Sequence, residues 1–242
     1  MKKLIVLAVA MMLCLCACTA NVTSTVTTEP TVSESGTHTV VGGWTLNDDE
    51  TVGALPADAQ AAFEKAMEGF VGVGYTPVAL LGTQVVAGTN YAILCKATTV
   101  TAAPETSLKV LIIYADLEGN ASITDILDFN LTDYTDGSTE ISAEMLAGGW
   151  FVPEEFSVVN LPADAGAAFT TATEGFVGNN LEPLALLGTQ VVAGTNYAIL
   201  CHSSLVTAEP VNGIVVVTIY ADLSGNATIT SISAINVADL LA

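Results

Sequence analysis

The stretch Ala79-Leu80-Leu81-Gly82-Thr83-Gln84-Val85-Val86-Ala87-Gly88-Thr89-Asn90-Tyr91-Ala92-Ile93-Leu94-Cys95 occurs twice in this chain, unchanged, at residues 79–95 and again at 185–201. Its centre, Gln84-Val85-Val86-Ala87-Gly88, carries no charge and ends in a glycine, which suits a tight turn. Before it, Pro77 precedes a short apolar strand, Val78 to Leu81. After it, Thr89 to Thr101 reads as a strand, with Tyr91, Ile93 and Cys95 on one face and Asn90, Leu94 and Lys96 on the other. The second copy places Gln190, Val191, Val192, Ala193 and Gly194 in the equivalent turn.

The repeat extends well beyond this stretch. Gly42-Gly43-Trp44 returns as Gly148-Gly149-Trp150, and Tyr114-Ala115-Asp116-Leu117 as Tyr220-Ala221-Asp222-Leu223, all at an offset of 106 residues. Two copies are too few for a solenoid. Units of roughly 90 residues are large enough for a core each, so each is expected to fold by itself. Within a copy, Leu55-Pro56-Ala57-Asp58 marks a helix start, with a proline in the first turn and an acid at the positive end of the dipole. Ala59, Phe63, Ala66, Met67 and Phe70 follow on one helical face, and Gly69 and Gly72 suggest the end. Leu108 to Leu117 and Ala121 to Phe129 are strands joined by a hairpin at Glu118-Gly119-Asn120. The order is strand, helix, then four strands, with the helix laid across an antiparallel sheet. The polar run Leu131 to Thr139 reads as a linker.

The amino terminus reads as a leader. Lys2 and Lys3 precede an apolar run from Leu4 to Leu15, too short to span a bilayer comfortably. Leu15-Cys16-Ala17-Cys18 resembles a lipobox, which implies a lipid on Cys18 as the first mature residue and the membrane as its partner. The alternative is an ordinary signal peptide cut near Ala17 or Ala20. The expected organisation is a signal peptide over 1–17, a flexible stalk over 18–39, domains over 40–130 and 146–242, and a linker over 131–145. The chain would be exported and anchored at the cell surface. Cys95 and Cys201 occupy the same strand position in the two copies and are expected to be free and buried.

Composition excludes several functions. The 242 residues carry a net charge of −20 and no arginine, with lysine only at positions 2, 3, 65, 96 and 109. Phosphate backbones require clustered cations, so nucleic acid is not an expected partner. His38 and His202 are the only histidines, and they lie far apart in the sequence, so no histidine cluster suggests zinc. No nucleophilic triad or phosphate loop is recognisable, and no enzymatic activity and no cofactor are expected.

Taken in order, Val40-Val41-Gly42-Gly43, one helix, Gln84 to Gly88 continuing as Thr89-Asn90-Tyr91, and two closing strands resemble the cystatin and stefin family, inhibitors of papain-like cysteine peptidases. The second copy repeats the set as Leu146-Ala147-Gly148-Gly149 and Gln190 to Tyr197. The resemblance implies two α+β domains, each with a long helix across a four- to five-stranded antiparallel sheet. It implies a reversible wedge in which the glycine segment and two hairpins enter a peptidase cleft together. The peptidase-binding residues would be Val41, Gly42, Gly43, Gln84, Val85, Val86, Ala87 and Gly88. In the second copy they would be Gly148, Gly149, Gln190, Val191, Val192, Ala193 and Gly194.

An uncharged apolar tip is unusual unless something covers it, although the valine pair could instead be buried strand. On this reading Gly88→Glu would abolish binding and leave the domain folded. The second hairpin departs from many animal cystatins, which carry Pro-Trp where this chain has Leu117-Glu118-Gly119-Asn120. A binding or adhesion lipoprotein that keeps the fold without the inhibition is the competing reading.

Overall fold

The computed structural model describes residues 43–47, 55–135, 148–153, 161–207 and 211–241. The leader, Cys18, the stalk, Val41, Gly42 and most of the linker lie outside the described residues. The first copy forms β1 (Trp44–Leu46), α1 (Ala57–Met67), β2 (Val73–Val86), β3 (Gly88–Thr99), β4 (Thr106–Ala115) and β5 (Ala121–Asp128), followed by a 3-10 turn at Leu131–Asp133. The second forms α2 (Ala163–Thr173), β6 (Asn179–Val192), β7 (Gly194–Leu205), β8 (Asn212–Ala221) and β9 (Ala227–Ala234), closed by a short α3 (Val237–Leu240). The architecture is α+β: two antiparallel sheets of order β1-β2-β3-β4-β5 and β6-β7-β8-β9, each packed against one helix.

Each helix starts at a proline, Pro56 or Pro162, whose extended backbone caps it and whose carbonyl accepts the first helical N–H. Asp58 and Asp164 sit in the first turn and each accepts a hydrogen bond from a strand tyrosine, Tyr91 at 3.2 Å and Tyr197 at 3.3 Å. This ties the helix start to the sheet beneath it. The helices are short, 11 residues each, which corrects the expectation of a long one. Gly69 and Gly175, at φ 77 and 75, turn the chain away at once. Phe70, read as helical, therefore lies beyond α1 and is exposed.

The strand before the repeated turn is also longer than its sequence suggests. Pro77 lies inside β2 rather than ahead of it, and the register with β3 slips between Pro77 and Ala79 and again between Leu80 and Gly82. Proline has no N–H for a ladder and is tolerated at bulges and edges. The described part of β1 borders β2 only from Gly82 to Gln84, so no described strand flanks Pro77 on that side.

The alternation along β3 sends its two faces to different cores. Tyr91, Ile93 and Cys95 pack with Ala59, Ala62 and Phe63 of α1, and Tyr197, Ile199 and Cys201 pack likewise with Ala165, Ala168 and Phe169 of α2. The opposite faces do not meet solvent. Ala92, Leu94, Leu108, Val110 and Ile112 join Ala198, Leu200, Ile214 and Val216 in one cluster. The two sheets therefore lie face to face, with the helices outside. The expectation of a core for each copy is met on the helix side only, and the second face of each sheet is covered by the other copy. Trp44 and Trp150 pack partly buried against this shared cluster.

The copies also exchange their ends. Leu131, just after β5, occupies the space beside Gly188 of the second copy, where a Cβ on that glycine would stand 2.6 Å from the leucine side chain. Val237, the equivalent residue after β9, lies beside Gly82 of the first copy, its side chain 3.5 Å from where a Cβ would stand, an ordinary contact distance; the nearest atom there is the Thr45 carbonyl oxygen of β1, at 2.8 Å. Gly188 is thus the seat of the other copy's closing segment, and Gly82 admits the backbone of β1 with Val237 alongside.

Candidate functional site

The chain reverses at Ala87 between β2 and β3, and at Ala193 between β6 and β7. Val85, Val86 and Ala87 are exposed at this tip, the valines by 49% and 44%, and in the second copy Val191 and Val192 are exposed by 71% and 44%. The valine pair is not buried strand. Burying one such side chain against a partner contributes about 1.5 to 3 kcal/mol.

Gly88 and Gly194 are buried, not exposed like the valines. Gly88 has φ 139, and a Cβ there would stand 2.3 Å from the Ala115 carbonyl oxygen and 2.9 Å from the Tyr114 ring. Gly194 has φ 145 and the same two neighbours in Ala221 and Tyr220. The expectation that Gly88→Glu leaves the domain folded is therefore corrected: these glycines are needed by the sheet itself, because a strand edge crosses at backbone distance.

Gln84 and Gln190 sit half-buried at the base of each tip. Asn90 donates to the Gln84 side-chain oxygen at 2.6 Å, and Asn196 to that of Gln190 at 2.7 Å. The Gln190 amide in turn donates to the Gly148 carbonyl. This links the glycine segment, the hairpin base and the next strand in a row. In the first copy Trp44, the residue after Gly43, pairs with Gln84 at the base of the tip. In the second, Phe151, two residues after Gly149, bridges Thr189.

A second hairpin leaves the sheet at the same end, since Ala115 pairs with both Thr89 and Ala121. Asp116 builds it. Its carboxylate accepts from the Glu118 and Asn120 amides and from the Asn120 side chain, each at 2.9 Å. Those bonds, the Asn120 side chain first, hold the Asp116 carboxyl below the usual carboxylate range, as Asn226 does for Asp222. The ionised form is the one the turn favours, so its contribution is present at neutral pH and is lost as pH falls through the depressed value.

Each turn presents one apolar residue, Leu117 or Leu223, exposed by 89% and 90%. Sequence reasoning passed over these leucines. A leucine inside an otherwise polar turn, repeated in both copies, was the available signal. Tyr114 and Tyr220 were missed as well. Tyr114 donates to the Ala87 carbonyl at 2.7 Å and Tyr220 to that of Ala193 at 2.8 Å, so each pins the first tip to the strand entering the second.

Tyr114→Phe removes that bond and keeps the ring. A net hydrogen bond contributes about 0.5 to 1.5 kcal/mol. The expected result is faster amide hydrogen exchange at Ala87 and Gly88 by roughly 2- to 13-fold, the same energy expressed as an equilibrium. Unchanged exchange would show that the tip is held by the ladder alone.

Between the sheets, beside the base of the second tip, lies a cavity of about 570 Å³ whose walls include Leu108, Asp128, Trp150, Gln190, Asn196 and Thr218. Asp128 is paired with Lys109, so the walls carry no unpaired cation or anion among these residues. Among the described residues, no group of His, Cys, Asp or Glu is placed to hold a metal, and no helix is long and apolar enough to cross a membrane. No known family model matches this chain, and no curated protein matches it.

Proposed function

We propose that this chain is a reversible inhibitor of papain-like cysteine peptidases, tethered to the cell surface through a lipid on Cys18, with a cystatin-like wedge in each copy. The observation that carries the reading is the alignment of three elements at one end of each sheet. The described glycines Gly43 and Gly149, the valine tip and the leucine turn lie at the same end of their sheet, and the last two present uncharged apolar side chains. Such a row matches a cleft that binds an extended, apolar peptide segment. The strand order β1-β2-β3-β4-β5 with one helix on the sheet supports the same reading. The wedge acts by occupancy alone, and no residue of this chain performs a covalent step.

Preorganisation gives the wedge its strength. The tip is fixed by Gly88, by the Tyr114 bond and by the Gln84–Asn90 pair, so little backbone freedom is lost on docking. The test is a titration of papain with soluble protein beginning at Thr19. The expected result is a reversible loss of peptidase activity, with the chain recovered uncut at Gly42-Gly43. Full papain activity at micromolar protein would overturn the inhibitor reading and leave a binding or adhesion module.

A further inference from the structure

We infer that one chain holds two peptidase molecules at the same time, one at each end of the paired sheets; this rests on the inhibitor reading above and adds to it the way the two wedges are disposed.

The disposition follows from the exchanged ends. In the first sheet the hairpins lie where Ala115 pairs with Ala121, and the remote end lies where Lys109 pairs with Asp128. Leu131 continues from that remote end and is seated at Gly188, two residues before Gln190 and so near the hairpin end of the second sheet. The cavity wall repeats the relation, since Leu108 and Asp128 from the remote end of one copy face Gln190 and Asn196 from the hairpin end of the other. Val237 at Gly82 gives the converse contact, from the remote end of the second sheet to the hairpin end of the first. The hairpin end of each copy thus lies over the remote end of its neighbour, and the two wedges leave the molecule at opposite ends.

Distance and exposure both permit double occupancy. Strand β3 has 12 residues, which at about 3.3 Å each separates the two ends by roughly 40 Å. A globular partner of about 200 residues has a radius of gyration near 16 Å, and two such bodies docked outward from opposite ends do not meet. Neither tip is covered by the other copy among the described residues, because Val85, Val86, Val191 and Val192 all remain exposed.

The experiment is sedimentation velocity of the soluble chain from Thr19 with increasing papain. Two variants accompany it, one carrying Val85→Asp with Val86→Asp, the other Val191→Asp with Val192→Asp. These valines are exposed, so both variants keep the fold, which is checked by the continued unreactivity of the buried Cys95 and Cys201 thiols. The expected outcome is a saturating complex with two papain molecules for the unmodified chain and one for each variant. Saturation at one papain for the unmodified chain, with each variant still holding one, would show mutually exclusive sites and overturn the inference while the inhibitor reading stands. Loss of all binding in one variant and no effect in the other would show a single working wedge and overturn it equally. Absence of any complex with the unmodified chain would end the inhibitor reading itself.

Discussion

Gly88→Ala is expected to destabilise the whole protein by about 2 to 6 kcal/mol, although it adds a single methyl group. A non-glycine residue at positive φ is strained by about 1 to 3 kcal/mol, and Gly88 is held at φ 139. The new Cβ would also stand 2.3 Å from the Ala115 carbonyl oxygen, a backbone atom in the ladder that cannot step aside as a flexible side chain could. Overpacking of this kind adds about 1 to 3 kcal/mol. For a chain of this size each kcal/mol lowers Tm by about 2 to 4 °C, so the expected drop is roughly 10 °C. Gly119→Ala is the control: it has φ 87 but no atom within 4 Å of its Cβ, so only the smaller backbone strain remains. Equal Tm values for the two variants would show that β4 relaxes away from the turn and that the close approach is not a constraint.

Leu94→Ala in the first copy is expected to expose Cys201 in the second. Leu94 is fully buried in the cluster that both sheets share, and Cys201 is fully buried on the helix side of the other sheet. Truncating a buried leucine costs about 2 to 5 kcal/mol. If the face-to-face sheets open as one unit, that loss raises the open population of both copies by roughly 30-fold or more.

Cys201 reports this cleanly because it is free and its burial pushes the thiol far above the ordinary range, so reaction requires opening. The measurement is alkylation at low denaturant, with Cys95 and Cys201 followed separately by peptide mass. A faster reaction at Cys95 with an unchanged one at Cys201 would show that the copies open independently, as two separate cores would.

The sequence by itself determined the repeat, the order of helix and strands within a copy and the two hairpins, because these depend on local signals. An offset of 106 residues needs no folding to be seen, and the alternation separated Tyr91, Ile93 and Cys95 from the opposite face of β3, while which face meets the helix came from the structure. A turn somewhere within Gln84 to Gly88 was legible for the same reason, but the structure confines it to Ala87, runs β2 on through Val86, and alone decides that the valines are exposed.

What covers the second face of each sheet was decided only by the tertiary structure. Ala92, Leu94, Val110 and Ile112 look the same in sequence whether they meet solvent, a partner or another copy. The one local hint was the near-continuous apolar run in β4 and β8, a pattern of strands buried on both faces. The exchange of Leu131 and Val237, the backbone approach that demands Gly88, and the tether from Tyr114 to Ala87 all join residues from different elements. Contacts of that kind leave no period in the sequence. Their partners are set by how two sheets, each apolar on both sides, remove the remaining apolar surface from water.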